Sequence, residues 1–426
     1  MFGMRRWRIL LSIISILIYS KAQSAVIYIP MDAEQQGNHL KAYGVAFKSL
    51  QAGLPVDWLL NYEGGAFVLS QNAELEKICK LRGVNYQILA DAQYSAIIQK
   101  LADPDFNGDI IKLEKAPKIA VYTPKSKLPW DDAVTMALTY AEIPYDKVYD
   151  DELLADDLNK YDWLHLHHED FTGQYGKFWA SYRNASWYIE DVKLQESIAT
   201  KHNFKKVSQL KLAVAKKIRD FVAGGGYLFA MCSATDSYDI ALAAEGTDIC
   251  DEPFDGDPVS PNAQNSLDFT RSFAFKDYSL FTNPSIYEYS NIDHGPFTGR
   301  NVIKTSDYFT LFTFSAKFDP VPTMLTQNHT TTVKGFMGQT TAFRKEVIKS
   351  NVVILGDNKA ANEARYIHGN YGNGTFTFYG GHDPEDYQHM IGDPPTELEL
   401  HPTSPGYRLI LNNVLFPAAK KKPRKT

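Results

Sequence analysis

The 426-residue chain predicts an α/β protein whose core is a parallel sheet. Two observations carry that reading. Between residues 118 and 231, apolar runs of strand length alternate with segments of helical periodicity, the pattern of strands joined by crossover helices. Within that series Gly224-Gly225-Gly226 closes a helix, residues 227–231 form a short buried strand, and Cys232 opens a Ser/Ala/Thr/Asp run suited to a first helical turn. Ligands on parallel sheets collect at the carboxyl ends of the strands, so Cys232 falls where an α/β protein keeps its chemistry.

In chain order, Arg5, Arg6 and Arg8 precede the apolar run 9–19 and a small-residue site at Ser20-Lys21-Ala22. Residues 1–22 therefore read as a secretory signal, and the mature protein as periplasmic or secreted without a transmembrane span. Residues 25–115 form a first α/β unit. Strands are expected at 26–30, 56–60 and 85–89, with helices at 39–52, 73–81 and 92–101. It carries no catalytic constellation and suits a lid or docking domain. The core spans 117–416. It has strands at 118–123, 146–149, 163–167 and 227–231, helices at 130–142, 152–158 and 209–223, and an aromatic loop after residue 170. Residues 244–351 turn rich in Asp, Pro and Gly around short aromatic strands at 308–314 and 323–326, an insertion of β character. The core resumes with strands at 351–355, 365–368 and 375–379. The Asn/Gly run 370–374 marks a hairpin, and 405–416 forms a closing helix. Residues 417–426 are a basic tail.

Charge and cysteine usage exclude some classes. The formal charge is −6, and removing the signal, with four cations and no anions, makes it −10. Nucleic acid is not an expected partner; a small-molecule substrate is, carbohydrates among the candidates. Cys79, Cys232 and Cys250 make no disulfide framework, although a Cys79–Cys250 pair stays open. Asp255-Gly256-Asp257 near Asp248 and Asp251 lacks the oxygen-ligand spacing of a calcium loop and reads as solvated.

Three groups of reactive residues fall at strand ends: residues 165–170 (His-Leu-His-His-Glu-Asp), Cys232, and residues 382–385 (His-Asp-Pro-Glu). A thiolate nucleophile needs a base and a group that orients the base. Cys232 is the candidate nucleophile, favoured as thiolate by the helix N-terminus. His382 is the base, with Glu385 or Asp383 as its orienter, and backbone N–H groups after Cys232 and the glycine turns serve an oxyanion. His168, Glu169 and, with Glu385 as the orienter, Asp383 contact substrate. No cofactor or metal is assigned. Imidazoles and carboxylates at 165–170, joined by His382 or His389, nevertheless leave a zinc site open. The aromatics Phe171, Tyr175, Phe178, Trp179, Tyr182, Trp187 and Tyr188 suit packing more than stacking on a sugar.

The order of strand, cysteine elbow, insertion, Asn/Gly hairpin and Gly-His resembles the class I glutamine amidotransferase-like superfamily. The run from Tyr371 to Asp383, Tyr-Gly-Asn-Gly-Thr-Phe-Thr-Phe-Tyr-Gly-Gly-His-Asp, is similar to the ThuA-like branch, which has a YGKGRVFY…GH segment near its end. The resemblance covers roughly residues 117–243 and 351–416. It implies a flavodoxin-like core and hydrolysis of an amide or carbohydrate-derived substrate. The elbow reads Ala230-Met231-Cys232-Ser233-Ala234 where the superfamily has Gly-x-Cys-x-Gly, and His382 and Glu385 stand one residue further apart than its His-x-Glu. Along its whole length the chain also resembles secreted Bacteroidetes proteins often labelled asparagine synthetase B. That enzyme's glutaminase half uses an N-terminal cysteine and its other half a Ser-Gly-Gly-x-Asp-Ser loop for ATP, and neither is present. Two further classes remain: a glycan-binding or scaffold module with a decayed triad, and a metal-dependent hydrolase.

Overall fold

The computed structural model describes residues 25–124, 129–300, 305, 307–319, 324–327, 329–335, 338–386 and 391–419. The expected signal at 1–22 and the basic end at 420–426 lie outside the described residues. The chain opens with β1 (Ala25–Ile29), α1 (His39–Gln51), β2 (Val56–Leu60), β3 (Phe67–Ser70), α2 (Ala73–Leu81), β4 (Gln87–Ala90), α3 (Asp91–Ala102) and β5 (Asp109–Leu113). These strands make a five-stranded sheet in the order β4-β1-β3-β2-β5, and every pairing in it is antiparallel. Strands β3 and β5 were not expected from the sequence. Asn61, Glu63, Gly64 and Gly65 all take positive φ and fold β2 back on β3 as a hairpin, which no crossover reading of this unit foresaw.

The core follows as β6 (Ile119–Tyr122), α4 (Ala133–Tyr140), β7 (Asp146–Val148), α5 (Asp150–Leu154), β8 (Trp163–Leu166), α6 (Ser186–Lys201), α7 (Val207–Gly224), β9 (Tyr227–Met231) and α8 (Ala234–Ala243). Next come β10 (Tyr308–Leu311), β11 (Thr332–Lys334), β12 (Phe343–Arg344), β13 (Val353–Asn358), β14 (Glu363–Tyr371), β15 (Gly374–Tyr379) and α9 (Pro405–Leu415). They build one mixed sheet, β11-β10-β13-β14-β15-β9-β8-β6-β7, with β12 beside β14. Strands β7, β6, β8, β9 and β15 pair in parallel. From β15 outward through β14, β13, β10 and β11 the pairing is antiparallel.

The molecule is therefore mixed α/β, and the expectation of a parallel core is corrected for this half of the sheet. The cause is local. The tight Asn370–Gly374 turn joins β14 to β15 directly, and a two-residue connection permits only antiparallel neighbours. The insertion adds β10, β11 and β12 to the same sheet, and Met324 and Leu325 lie in a short helical turn where a strand was expected. Helix α6 takes up the 16 residues Ser186–Lys201 of the stretch expected as an aromatic loop.

Side chains alternate across the sheet, as the two-residue strand period requires. Ile119, Val121, Trp163, Phe229, Met231 and Tyr379 face one apolar layer, together with α1, α4, α9 and the inner side of the N-terminal sheet. Ala120, Tyr122, Leu164, Leu228, Ala230 and Phe378 face the other, under α5, α7, α8 and part of the insertion. The insertion is tied to α8 by Asp239, whose buried carboxylate accepts the backbone N–H groups of Phe273, Ala274 and Phe275 at 2.7, 2.7 and 2.9 Å.

The N-terminal unit shares the first apolar layer. Arg408 on α9 is fully buried and donates to the Met31 and Gly64 carbonyls and to the Tyr43 hydroxyl, stitching α9 to both β1 and α1 regions. Arg408→Met keeps the volume but leaves the buried Met31 carbonyl and the half-buried Gly64 carbonyl without donors. The expected cost is about 3 kcal/mol, read as a lower urea midpoint with unchanged secondary structure.

Candidate functional site

The chain leaves β9 and turns at Cys232, which is buried and held at φ +50°, before entering α8. A non-glycine residue in this left-handed region carries about 1 kcal/mol of strain. Its neighbours hold it there. Cys232 N–H donates to the Gly381 carbonyl at 3.0 Å, Thr235 returns two hydrogen bonds to the Cys232 carbonyl, and Ala234 N–H donates to the His167 carbonyl at 3.0 Å. The ends of β8, β9 and β15 are thus laced together directly above the sheet.

His382 follows β15 by three residues and is buried. Gly338 packs on it so closely that a Cβ there would lie 2.7 Å from the His382 Cβ. Cys232 and His382 share the wall of a cavity of about 300 Å³ with His168, Trp130, Lys177, Phe178, Tyr182, Tyr287 and Gln339. Cys232, His382 and His168 are thus brought together as expected, although the lining residues all come from the core and none from 25–115. A larger recess of about 440 Å³ lies at the opposite ends of these strands. Its charges are already matched, Lys115 to Asp162 at 2.7 Å among them, and it offers no reactive group.

The remaining assignments change. Burial pushes the Cys232 thiol up to about 12, Asp236 and Asp293 add to it, and the Ser233 N–H and hydroxyl act against it. The helix N-terminus does not deliver the depressed thiol the sequence suggested, because desolvation is the larger effect. Glu385 turns to His401, 3.5 Å away. Asp383 accepts the Tyr407 hydroxyl and the Thr396 hydroxyl (2.9 Å), and burial pushes its carboxyl up to about 7. Most of the expected oxyanion donors are also committed. Cys232, Ala234 and Gly381 give their N–H groups to backbone carbonyls, which leaves the Ser233 N–H directed at the thiol.

What the sequence missed is Asp132. It caps α4 by accepting the Thr135 N–H on Oδ1 at 2.7 Å, and its Oδ2 lies 3.4 Å from His165 Nε2 and 3.3 Å from His167 Nδ1. Burial would push its carboxyl up, but the two imidazoles bring it well below the usual range. Burial lowers His165; at His167 the pull of Asp132 overcomes burial and the ring is raised. The one available signal was Asp132 as a helix cap before residue 133; nothing in the sequence aims its second oxygen.

Three imidazoles crowd the same spot. His167, His168 and His382 each offer a nitrogen, all within 4.8 Å of one another, and the ring centroids of His167 and His382 are 4.2 Å apart. His389 lies outside the described residues. Glu169 accepts the His167 N–H at 3.0 Å, lies 3.9 Å from His168, and is pushed up to about 7 by burial. The aromatic run divides. Phe171, Tyr175 and Tyr188 are buried in packing, whereas Phe178 and Tyr182 reach the cavity wall and Phe178 stacks on Trp130 at 5.3 Å. The cysteines are all free, and Cys250 contacts the Thr172 carbonyl at 3.3 Å. Lys206 fills the acidic loop, its amine 2.5 Å from Asp248 and 3.0 Å from Asp255.

No family model matches the chain, and no curated protein does. Among solved structures, two cytoplasmic proteins of Salmonella typhimurium, STM3548 and STM1381, each align at 11% identity with a TM-score of 0.35. Each alignment covers 71% of this chain and all of the other. A β-galactosidase from Bacillus circulans sp. alkalophilus aligns at 11% identity and a TM-score of 0.23, over 63% of this chain and 29% of its own. Likeness at this level carries no argument about activity.

Beneath Cys232, Thr340 bridges two buried acids, donating its hydroxyl to Asp236 and its N–H to Asp293, each at 2.9 Å. Burial first, then Glu288, pushes the Asp293 carboxyl from 3.8 up to about 7. Between those values the folded protein holds a proton that the unfolded chain has lost, so stability falls as pH rises through that window. Asp293→Asn keeps an acceptor for Thr340 without the charge. Its melting temperature relative to the parent is expected to climb from pH 5 to pH 7.5; a pH-independent difference contradicts the raised carboxyl.

Proposed function

We propose that the cleft at the ends of β8, β9 and β15 hydrolyses a C–N or acyl bond of a small polar substrate, with Cys232 as nucleophile. The observation that carries this reading is Cys232 itself, held at φ +50° on a strand-to-helix elbow in the wall of a cavity it shares with His168 and His382. Strain of this kind persists only where surrounding structure enforces it, and the strand–nucleophile–helix elbow is a recurrent way to present a reactive side chain. The fold reading belongs to the same proposal. The parallel strands run β7-β6-β8-β9-β15, second, first, third, fourth, fifth in chain order, which supports a flavodoxin-like core of the amidotransferase-like, ThuA-like type. Ligands in that topology sit at the carboxyl ends of the strands. Export is proposed on the Arg-rich start and the apolar run 9–19.

In the reaction the thiol passes its proton to an imidazole of the cavity and Sγ bonds to the carbonyl carbon. The carbonyl π pair moves to oxygen, faced by the Ser233 N–H. As the oxyanion collapses, the C–N or C–O bond breaks and the leaving group takes the proton. Water then cleaves the thioester and restores the thiol.

The test combines trapping and mutation. Incubation with amide and thioester substrates is expected to leave an acyl adduct on the peptide containing Cys232, seen by mass spectrometry. Cys232→Ala is expected to lower turnover by about 10³-fold or more. Turnover that survives in this variant removes the thiol from the mechanism. A second reading, a binding module without chemistry, is favoured by the thiol at about 12 and by the commitment of Glu385 to His401. It predicts ligand binding with neither adduct nor turnover.

A further inference from the structure

We infer that His167, His168 and His382 form a binding site for one divalent transition-metal ion of the zinc class, with Asp132 as the residue that positions His167. The inference goes beyond the hydrolase reading and stands without it.

Two features of the site itself converge. The nitrogens of the three imidazoles gather within 4.8 Å from two strand ends that only the sheet brings together, His167 and His168 after β8 and His382 after β15. A tetrahedral zinc with Zn–N bonds of about 2.1 Å would draw them somewhat closer. His167 is wholly buried, and with Nδ1 turned to Asp132 its Nε2 has no protein partner. A buried ring nitrogen left this way is costly in the protein alone and is what a ligating histidine looks like before its ion arrives.

The surrounding residues are those that ligating histidines require. A carboxylate on the far nitrogen fixes the tautomer and orientation of a metal-bound imidazole. Asp132 does this for His167 and is itself held by the Thr135 N–H on one oxygen, while His165 Nε2 lies 3.4 Å from the other. His165 is held from behind by the Phe229 carbonyl at 3.2 Å. Glu169 stands 3.9 Å from His168 Nε2 and is anchored on the His167 N–H. Neutral imidazoles as the only protein ligands suit zinc, cobalt, nickel or copper and not calcium or magnesium. Three protein ligands beside an open cavity leave a fourth position for water or substrate, the pattern of catalytic zinc sites rather than structural ones. Cys232 lines that same cavity. An ion here would commit the lone pair of His382 to the metal and place positive charge in the cavity that holds the thiol.

The site is tested by titrating the EDTA-stripped, full-length protein with zinc chloride by calorimetry and with cobalt chloride by visible absorption. One ion per chain and the intense visible bands of tetrahedral cobalt are expected. His167→Ala, His168→Ala and His382→Ala should each weaken binding by at least 100-fold. Asp132→Asn should weaken it by about 10–100-fold, as loss of such an outer partner does. His401→Ala, which alters a histidine paired with Glu385, should bind as the parent does. Circular dichroism melts of each apo variant separate loss of binding from loss of fold. No uptake by the folded parent, or equal affinity across the folded histidine variants, overturns the inference. Because binding is read without turnover, a protein that takes up zinc but shows no thiol chemistry overturns only the hydrolase reading. Thiol chemistry without uptake overturns only the metal site.

Discussion

The parallel pairing of β9 with β15 is the constraint on which the rest depends. Tyr227 through Met231 lie opposite Thr375 through Tyr379, and the ladder continues past both strands in the bond from Cys232 N–H to the Gly381 carbonyl. Almost 150 residues separate the two strands, yet a shift of one position would reverse every side chain between the two apolar layers. Phe229 and Met231 would leave the layer they share with Tyr379, while Ala230 would leave the opposite one. Burial on both faces therefore fixes the register. The register in turn fixes Cys232 and His382 in one cavity wall.

The second determinant of the site is the competition between burial and charge. Burial raises the Cys232 thiol and the Glu169, Asp293 and Asp383 carboxyls, so each of these groups around the strand ends keeps its proton to higher pH than it would in water. Asp132 is the exception. It keeps its charge in a buried setting because two imidazoles and a helix N-terminus face it together. A charged Asp132 among histidines, beside a thiol that desolvation holds protonated, describes a cavity organised around imidazoles more than around sulfur. The glycines after β15 and at residue 338 allow His382 to enter that group, since any side chain at Gly338 would displace it.

The N-terminal unit depends on the core in a different way. Its helix α1 and the inner face of its sheet share an apolar layer with α4 and α9, and Arg408 bonds to both β1 and α1 regions from below. It thus closes the face of the core sheet away from α7 and α8, leaving the cavity to residues of the core. The insertion has the complementary part. It extends the sheet with three strands and supplies Tyr287, Gln339 and Gly338 around the cavity.

Local signals in the sequence determined a good deal. The helix of residues 73–81 and the strand of residues 56–60 stand at their expected boundaries, because Asn72 caps the one and apolar residues fill the other. The Gly224–Gly226 stop, the elbow at Cys232 and the Asn370–Gly374 hairpin were legible for the same reason: each is decided within a few residues. Partnership was not. The antiparallel half of the sheet, the strands β3 and β5, and the insertion's place in the core sheet depend on which distant strand lies alongside. Sequence placed Glu385 and Asp383 near His382, but their side chains turn to His401 and Tyr407. It gave no reason to join Asp132 to His167, 35 positions on, because only the packing of α4 against β8 brings a cap's second oxygen to a strand-end imidazole. Spacing along the chain names candidate groups; which of them meet, and in what state of charge, is set by burial and by contacts between elements far apart in sequence.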